Sequence, residues 1–598
     1  MSGHHADTAP SPPDEVVSDD APTSTTMPDE SDGDATSEIP VESDESAAGD
    51  GEVTARERSW FWNAVIGAVF VVVAVSFWSG FHIEGHNSGD DFALYVDQAR
   101  ALIQGDIADT LTDTRYTVDN SAWHTFSPYS YSWGLPVLLA PVMLLSGAVD
   151  PVAGIDYGPL KLMITLTFAV GLLAYHHVCR RRVHPAGAVL LPMFFATSYW
   201  YVLHTDQVLS ELPFLMWLML FVVWLDRLVE RKALLTAPRW QLVTLAAFAL
   251  MAFNTRREGL GVLIGLLAAQ AAALWAETHA HGLRARLARL RELDWKPIAT
   301  PWVTFVATTA VVQLTLPSDF LPRFTERDPA ADSGLHRIPG NIRIYRLKLG
   351  ELLGFKDPGP YEVTVFDSTT LGTAAMYLIL AFAAIGVVVM LLRHTARDAG
   401  LVGVGLGVAI AVLSAPFQDF RYLMALIPFL LLFAYVGVSL PLRMLLRVPD
   451  TWPMFVAEVA VTAMILGGLP DIQNAYEYRS NWVGVQAGPQ EPDTLDMWQA
   501  VRRETRGDAV IVFARARMMG LYTGRTSVQG GSIDFIERAG DFYVMYLNPD
   551  GSPGTYSQYP LEPGEADDRG FTEVWRNNGW VIFRTPTSQA NDPSLEGS

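Results

Sequence analysis

The chain has 598 residues, half of them hydrophobic and only 18% charged, with a formal net charge of −22 at pH 7. Many apolar runs approach the ~20 residues that cross a bilayer, which excludes an ordinary soluble globular domain. A single cysteine, Cys179, excludes an internal disulfide and a cysteine-based metal site. No nucleic-acid partner is expected, and the acidic balance says little about the partners of the membrane part, because most of the excess negative charge lies in the first 52 residues.

Residues 1–52 hold fifteen Asp and Glu and no Lys or Arg. Together with their Ser, Thr and Pro content, this makes residues 1–55 a disordered, self-repelling acidic tail. No apolar run follows a basic start there, so no cleavable signal peptide is expected. Arg56 and Arg58 precede the first predicted span, 59–81, and place the N-terminus in the cytoplasm. The polar stretch 82–133 follows, centred on Asp90-Asp91-Phe92-Ala93-Leu94-Tyr95. Phe92, Tyr95, Val96, Ala99 and Leu102 recur at helical spacing, with Ser88 or Asp90 at the capping position. Two readings of Asp90 and Asp91 stay open. They cap a helix at its positive end, or one serves as a general base, because neighbouring carboxylates repel and the pKa of one rises.

The apolar run 133–149 is short for a span and reads as a juxtamembrane or re-entrant piece. Ten further spans are expected near 158–178, 187–203, 212–229, 240–254, 259–276, 301–316, 370–392, 400–416, 422–440 and 452–469. Basic clusters follow the second, fourth, sixth, eighth and tenth of the eleven, all on the cytoplasmic side, so the C-terminus is expected to be extracytoplasmic. The opposite side collects Asp90 and Asp91, Asp206 with Glu211, Arg257 with Glu258, and Arg421 with Tyr422. Each pair alone reads as an interfacial anchor; four clusters converging on one face point to a site. The long loop 317–368 reaches the same face and carries Arg343 and Arg346. It suits an anionic phosphate or an amphipathic helix lying on headgroups.

Beyond 470 the pattern changes. Buried strands are expected at 508–513, 541–546 and 580–583, and a helix at 493–506. Residues 471–585 therefore read as a small extracytoplasmic α/β domain and 586–598 as a disordered tail. Gly530-Gly531 reads as a turn, with no helix after it to form a phosphate cradle.

Asp-Asp-Phe-Ala-x-Tyr followed by Ala-Arg-x-Leu-x-x-Gly resembles the GT-C membrane glycosyltransferases, which include dolichyl-phosphate-mannose protein mannosyltransferases and lipid A aminoarabinose transferases. Tyr131-Ser-Trp-Gly-Leu-Pro136, Ser210-Glu211-Leu-Pro213, Arg257-Glu258-Gly259 and Asp419-Phe-Arg421-Tyr422 extend the resemblance over 59–470. It implies a polytopic α-helical membrane protein of about eleven transmembrane helices, with 56–470 as the transferase-like part. It also implies a polyprenyl-phosphate sugar donor, an extracytoplasmic acceptor and inversion at the anomeric carbon. The base role falls on the Asp90/Asp91 pair, and on Asp91 in particular, four residues before Tyr95. Donor and acceptor contacts fall to Tyr95, Asp206, Glu211, Arg257, Glu258, Arg343, Arg346, Arg421 and Tyr422. No cofactor is required, although Asp206 or Glu211 leaves room for a divalent metal. A flippase or transporter for a lipid-linked or anionic solute, and a non-catalytic scaffold, are the competing classes.

Overall fold

The computed structural model describes residues 65–590, apart from 66, 88, 123–127, 148–154, 279–290, 320–333, 354–368, 394, 416–418, 447–450, 481–487 and 555–558. The acidic tail, the start of the first predicted span, most of the long loop and the last eight residues lie outside the described residues.

The membrane-like part is a helical bundle. Its helices are α1 (Gly67–Ser79), α2 (Asp91–Gln104), α3 (Ile107–Asn120), α4 (Gly134–Ser146), α5 (Gly158–Cys179), α6 (Pro185–Ala196), α7 (Tyr199–Thr205), α8 (Glu211–Glu230), α9 (Arg239–Thr255), α10 (Gly261–Thr278), α11 (Trp295–Thr315), α12 (Ile338–Leu352), α13 (Thr369–Leu392), α14 (Ala396–Ser414), α15 (Ile427–Leu446) and α16 (Thr451–Ser480). Among the described residues, seven helices are long and apolar enough to cross a membrane, and α6 with α7, bent by 59°, makes an eighth. The remaining predicted spans coincide with α1, α9 and α15, which fall short of that test over their described lengths. The run 133–149 forms α4, whose 13 residues reach only about 20 Å against a hydrocarbon core of roughly 30 Å.

Close helix contacts follow from small residues. Gly261 and Gly265 on α10 face Gly403 and Gly407 on α14, and a Cβ on Gly407 would lie 2.5 Å from the Gly261 carbonyl oxygen. Glycine alone permits this approach, as in other small-residue helix crossings in lipid.

The bundle has two polar ends. At one, the buried Arg182 guanidinium, just past α5, grips Asp226 near the end of α8 through two bonds of 2.6 and 2.7 Å. It also donates to Asp398 near the start of α14 at 3.3 Å. The other end gathers the start of α5, the start of α8, the end of α9 and the segments after α14.

The C-terminal part adds α17 (Pro492–Glu504), β1 (Ile511–Val512), α18 (Ala516–Thr523), β2 (Ser527–Val528), α19 (Ile533–Ala539), β3 (Phe542–Tyr546), α20 (Pro563–Asp568), β4 (Thr572–Arg576), β5 (Trp580–Arg584) and α21 (Pro586–Ala590). The sheet order is β2-β1-β3-β5-β4. β1 runs parallel to β2 and β3, while β5 pairs antiparallel with β3 and β4. Two features depart from the sequence-based expectation. The Gly530-Gly531 turn is followed at once by α19, capped by Ser532 on Phe535 N–H, and Gly530 is there because a Cβ would strike Val512. The chain past 585 continues into α21, where Thr587 bonds the Glu537 carbonyl. Met497, Trp498, Tyr522 and Trp580 join one continuous apolar core with the helices, while Val512, Val528, Tyr543 and Phe583 belong to a second core within the C-terminal part.

Candidate functional site

The site forms where α2 begins. α2 presents Asp91 in its first turn and buries Phe92, Tyr95, Val96 and Ala99 of the predicted stripe. Leu102 is only half-buried, and Ala93, Leu94, Gln98 and Ala101 are buried too, because the helix is packed on more than one face. The approach to α2 is pinned by a second polar group. Asp206 accepts the Ile83 N–H at 3.0 Å while Lys161 donates to the Ile83 carbonyl at 2.8 Å, and the two side chains pair at 2.6 Å. His86 stacks on Phe92 at 3.8 Å and accepts the Val208 N–H at Nε2. Burial first, then the Lys161 charge, pull the His86 pKa down to about 3, so the ring stays neutral and its Nδ1 proton faces the Asn87 carbonyl.

Gln98, two turns along α2, clamps Tyr131 by its backbone: it donates to the Tyr131 carbonyl and accepts its N–H. The following Gly134 opens α4 against the end of α9, where a Cβ would lie 2.7 Å from the Asn254 carbonyl oxygen. The Tyr131 ring stacks on Tyr95 at 4.6 Å, and its hydroxyl donates to Asp91 Oδ1 at 2.6 Å. Burial and the Asp91 charge raise the Tyr131 pKa well above the ordinary tyrosine value, so that hydroxyl keeps its proton.

The other Asp91 oxygen faces Arg421, with Nη1 to Oδ2 at 3.1 Å. Arg421 follows Asp419, which accepts both the Arg421 backbone N–H and its Nε. Arg421 Nη1 also lies 3.9 Å from Glu211. Glu211 in turn receives Arg256 at 2.7 Å, Arg256 reaches Glu258 at 3.0 Å, and its guanidinium lies 4.8 Å from the centre of the Tyr422 ring. The Tyr95 hydroxyl donates to Ser210, which Arg256 also approaches. One chain of polar contacts thus runs from Glu258 through Arg256, Glu211 and Arg421 to Asp91.

The two adjacent carboxylates have opposite environments. Asp91 has a side chain 34% exposed. Burial pushes its pKa up, but Arg421, the Tyr131 hydroxyl and Arg517 outweigh that and hold it below the usual carboxylate range. Asp90 does not cap α2. Its Oδ1 accepts the Met518 N–H at 3.3 Å, the third residue of α18, so it caps a helix 428 positions away. Its Oδ2 is buried and has no hydrogen-bond partner among the described residues. Burial, above all, pushes its pKa up to about 6, against the pull of Arg517 and Arg515. The raised carboxyl is thus Asp90, and desolvation outweighs repulsion by Asp91 as the cause.

Of the residues singled out in the sequence, Asp91, Tyr95, Glu211, Glu258, Arg421 and Tyr422 come together. Asp206 belongs to the neighbouring Lys161 group. Arg257 turns away, bonding Ser318 Oγ and the Asp319 carbonyl and lying over Phe253. Arg343 is exposed on α12, and Arg346 bonds the Tyr377 hydroxyl. Arg256, Tyr131 and Arg517 join the site without having been assigned a role there. Among the described residues, no group of three or more His, Cys, Asp or Glu is placed to hold a metal. Asp206 and Glu211, where a divalent metal was given room, each face a cation instead.

No family model and no curated protein matches the sequence. Among solved structures, the chain is similar to ArnT from Cupriavidus metallidurans bound to undecaprenyl phosphate, at 11% identity over 86% of this chain and 97% of that one, with a TM-score of 0.44. It is similar to the archaeal oligosaccharyltransferase AglB from Archaeoglobus fulgidus in complex with an inhibitory peptide and a dolichol-phosphate, at 10% identity over 84% and 75%, with a TM-score of 0.46. The Archaeoglobus fulgidus oligosaccharyltransferase in the apo form gives 11% identity, 86% and 80% coverage, and a TM-score of 0.48. These are likenesses of outline that assign no chemistry to individual residues.

Proposed function

We propose that the protein is a membrane glycosyltransferase that moves a sugar from a polyprenyl-phosphate donor to an extracytoplasmic acceptor with inversion, using Asp91 as general base. The observation that carries this reading is Asp91 itself: an ionised, one-third exposed carboxylate whose two oxygens are oriented by Tyr131 and Arg421. The GT-C resemblance of the surrounding motifs supports the same class. A hydroxyl acceptor becomes acidic only as it bonds to the anomeric carbon, so a carboxylate of low pKa accepts its proton late in the step. The leaving phosphate carries charge that a guanidinium stabilises. Arg421 stands nearest to Asp91 and is the candidate. A phosphate that takes Arg421 as partner draws it from Asp91 and thereby raises the basicity of the base.

Asp91→Asn keeps the shape and hydrogen-bonding capacity of the side chain but cannot take the proton. It is expected to fold, bind a polyprenyl-phosphate sugar, and lose turnover by roughly 10²–10⁴. Sugar transfer from a radiolabelled lipid-linked donor, with donor binding measured separately, checks this. A fully active Asp91→Asn protein removes the mechanism.

A further inference from the structure

The C-terminal part reaches into the site through the start of α18. Arg517, with a side chain only 5% exposed, donates from Nη1 to the Tyr131 hydroxyl at 3.1 Å and from Nη2 to the Pro128 carbonyl at 2.8 Å. Nη1 lies 3.9 Å from Asp91 Oδ1. Next along α18, Met518 N–H is held by Asp90. Met518 and Arg517 thus fix α18 on the two neighbouring residues Asp90 and Asp91.

We propose that Arg517 is a positioning residue for Asp91, a role that rests on reading Asp91 as the base. The hydrogen-bond directions decide it. Arg517 has only donors, so the Tyr131 oxygen accepts from it, and the single Tyr131 proton is left to point at Asp91 Oδ1. Without Arg517 the Tyr131 oxygen loses the donor that fixes its direction, and the guanidinium charge 3.9 Å from Oδ1 is lost. With Arg517 in place, Oδ1 is tied by Tyr131 and Oδ2 by Arg421, while a third of the Asp91 side chain stays exposed. Asp90, buried and bonded to α18, is one of the docking contacts for the C-terminal part and takes no proton from the acceptor.

The test is run on the full chain in detergent or native membranes. The protonation of Asp91 is read without substrate, by labelling with a water-soluble carbodiimide and an amine across a pH series, with fragment mass spectrometry resolving Asp91 from Asp90. The groups facing Asp91 are Tyr131 from the segment before α4, Arg517 from α18, Arg421 after α14, Glu211 on α8, and Tyr95 and Asp90 at α2. Only the first two are altered. In Arg517→Gln and in Tyr131→Phe, labelling of Asp91 is expected to begin at higher pH than in wild type. Arg576→Gln, an exposed change on β4, should leave it unmoved. In the transfer assay both variants are expected to lose about 10- to 100-fold in kcat with donor KM little changed, and the acid limb of the pH–rate profile to move up. The double variant should lose more than either single one but less than the product of the two losses, because Arg517 acts on Asp91 partly through Tyr131 and partly across 3.9 Å. Should Arg517→Gln not fold, Tyr131→Phe carries the same expectations. Unchanged Asp91 labelling in Arg517→Gln and Tyr131→Phe, alongside an inactive Asp91→Asn, overturns the role of Arg517 alone. A fully active Asp91→Asn overturns the reading of the base and this role with it.

Discussion

Asp90 and Asp91 are adjacent and chemically identical, yet the fold gives them different work. Asp91 keeps water on one side and cations on the other; Asp90 loses water and gains a helix N-terminus. This has a consequence for stability. The Asp90 carboxyl is pushed up to about 6 from 3.8, so between those values the folded chain binds its proton more tightly than the unfolded chain does. Stability attributable to this group is therefore greatest at low pH, falls as pH rises through that window, and stays lower above it. Asp90→Asn, which caps as well as Asp but never ionises, is expected to raise Tm over wild type at pH 8 and to give no gain near pH 4. Asp90→Ala loses the cap, about 1 kcal/mol, and should melt below wild type near pH 4. A lower Tm for Asp90→Asn at pH 8 shows that the ionised form is the better-bound one. The sequence marks both carboxylates but cannot say which is buried, because the groups that decide it, Met518 and Arg517, lie more than four hundred residues along the chain.

Helices were legible because bilayer length and apolar continuity are local properties. The predicted third span at 187–203 coincides with α6 and α7, but its 59° bend was not foreseen, although Pro192 lies inside α6. The short strands β2 and β4 were missed: two residues such as Ser527 and Val528 carry no period, and β4 is exposed or half-buried throughout. Arg256 and Arg257 show the limit for side chains. They are neighbours, but Arg257 opens a 3-10 turn that aims it at Ser318 while Arg256, in extended backbone, points to Glu211. At this scale the α10–α14 contact is a sharp test. Gly407→Ala puts a Cβ 2.5 Å from the Gly261 carbonyl oxygen, a backbone atom that cannot yield. The helices must separate, at a cost of about 1–3 kcal/mol by analogy with overpacked cores. Gly468→Ala, with nothing within 4 Å, should be silent. Thermal unfolding followed by detergent-resistant monodispersity compares the two, and equal stability discounts the close packing.

At the scale of the whole molecule, the two polar ends are held apart by the length of the helices between them. α8 carries Glu211 at its start and Asp226 in its last turns, and its 20 residues extend about 30 Å, the thickness of a hydrocarbon core. The far end joins Arg182, Asp226 and Asp398, with Arg181 and Arg397 reaching Glu230. Arg180, Arg231 and Lys232 also lie there, so it is rich in Lys and Arg. At the near end, Arg256 and Arg421 are each engaged by carboxylates. On the reading proposed above, the Arg182 end faces the cytoplasm and the Asp91 end, with the sheet docked on it, faces outside, as the positive-inside bias predicts. The single cysteine makes this measurable, because Cys179 is buried and can be replaced by Ala to give a cysteine-free background. Thr236→Cys, exposed beside the Arg182 end, and Asn578→Cys, exposed between β4 and β5, then report the two sides. A membrane-impermeant maleimide added to intact cells should label Asn578→Cys at once and Thr236→Cys only after permeabilisation. The reverse pattern puts the site in the cytoplasm, where an acceptor beyond the membrane is out of reach. Labelling of both positions in intact cells shows that the two ends do not face opposite sides, and the arrangement of a lipid-linked donor meeting an extracytoplasmic acceptor at Asp91 falls with it.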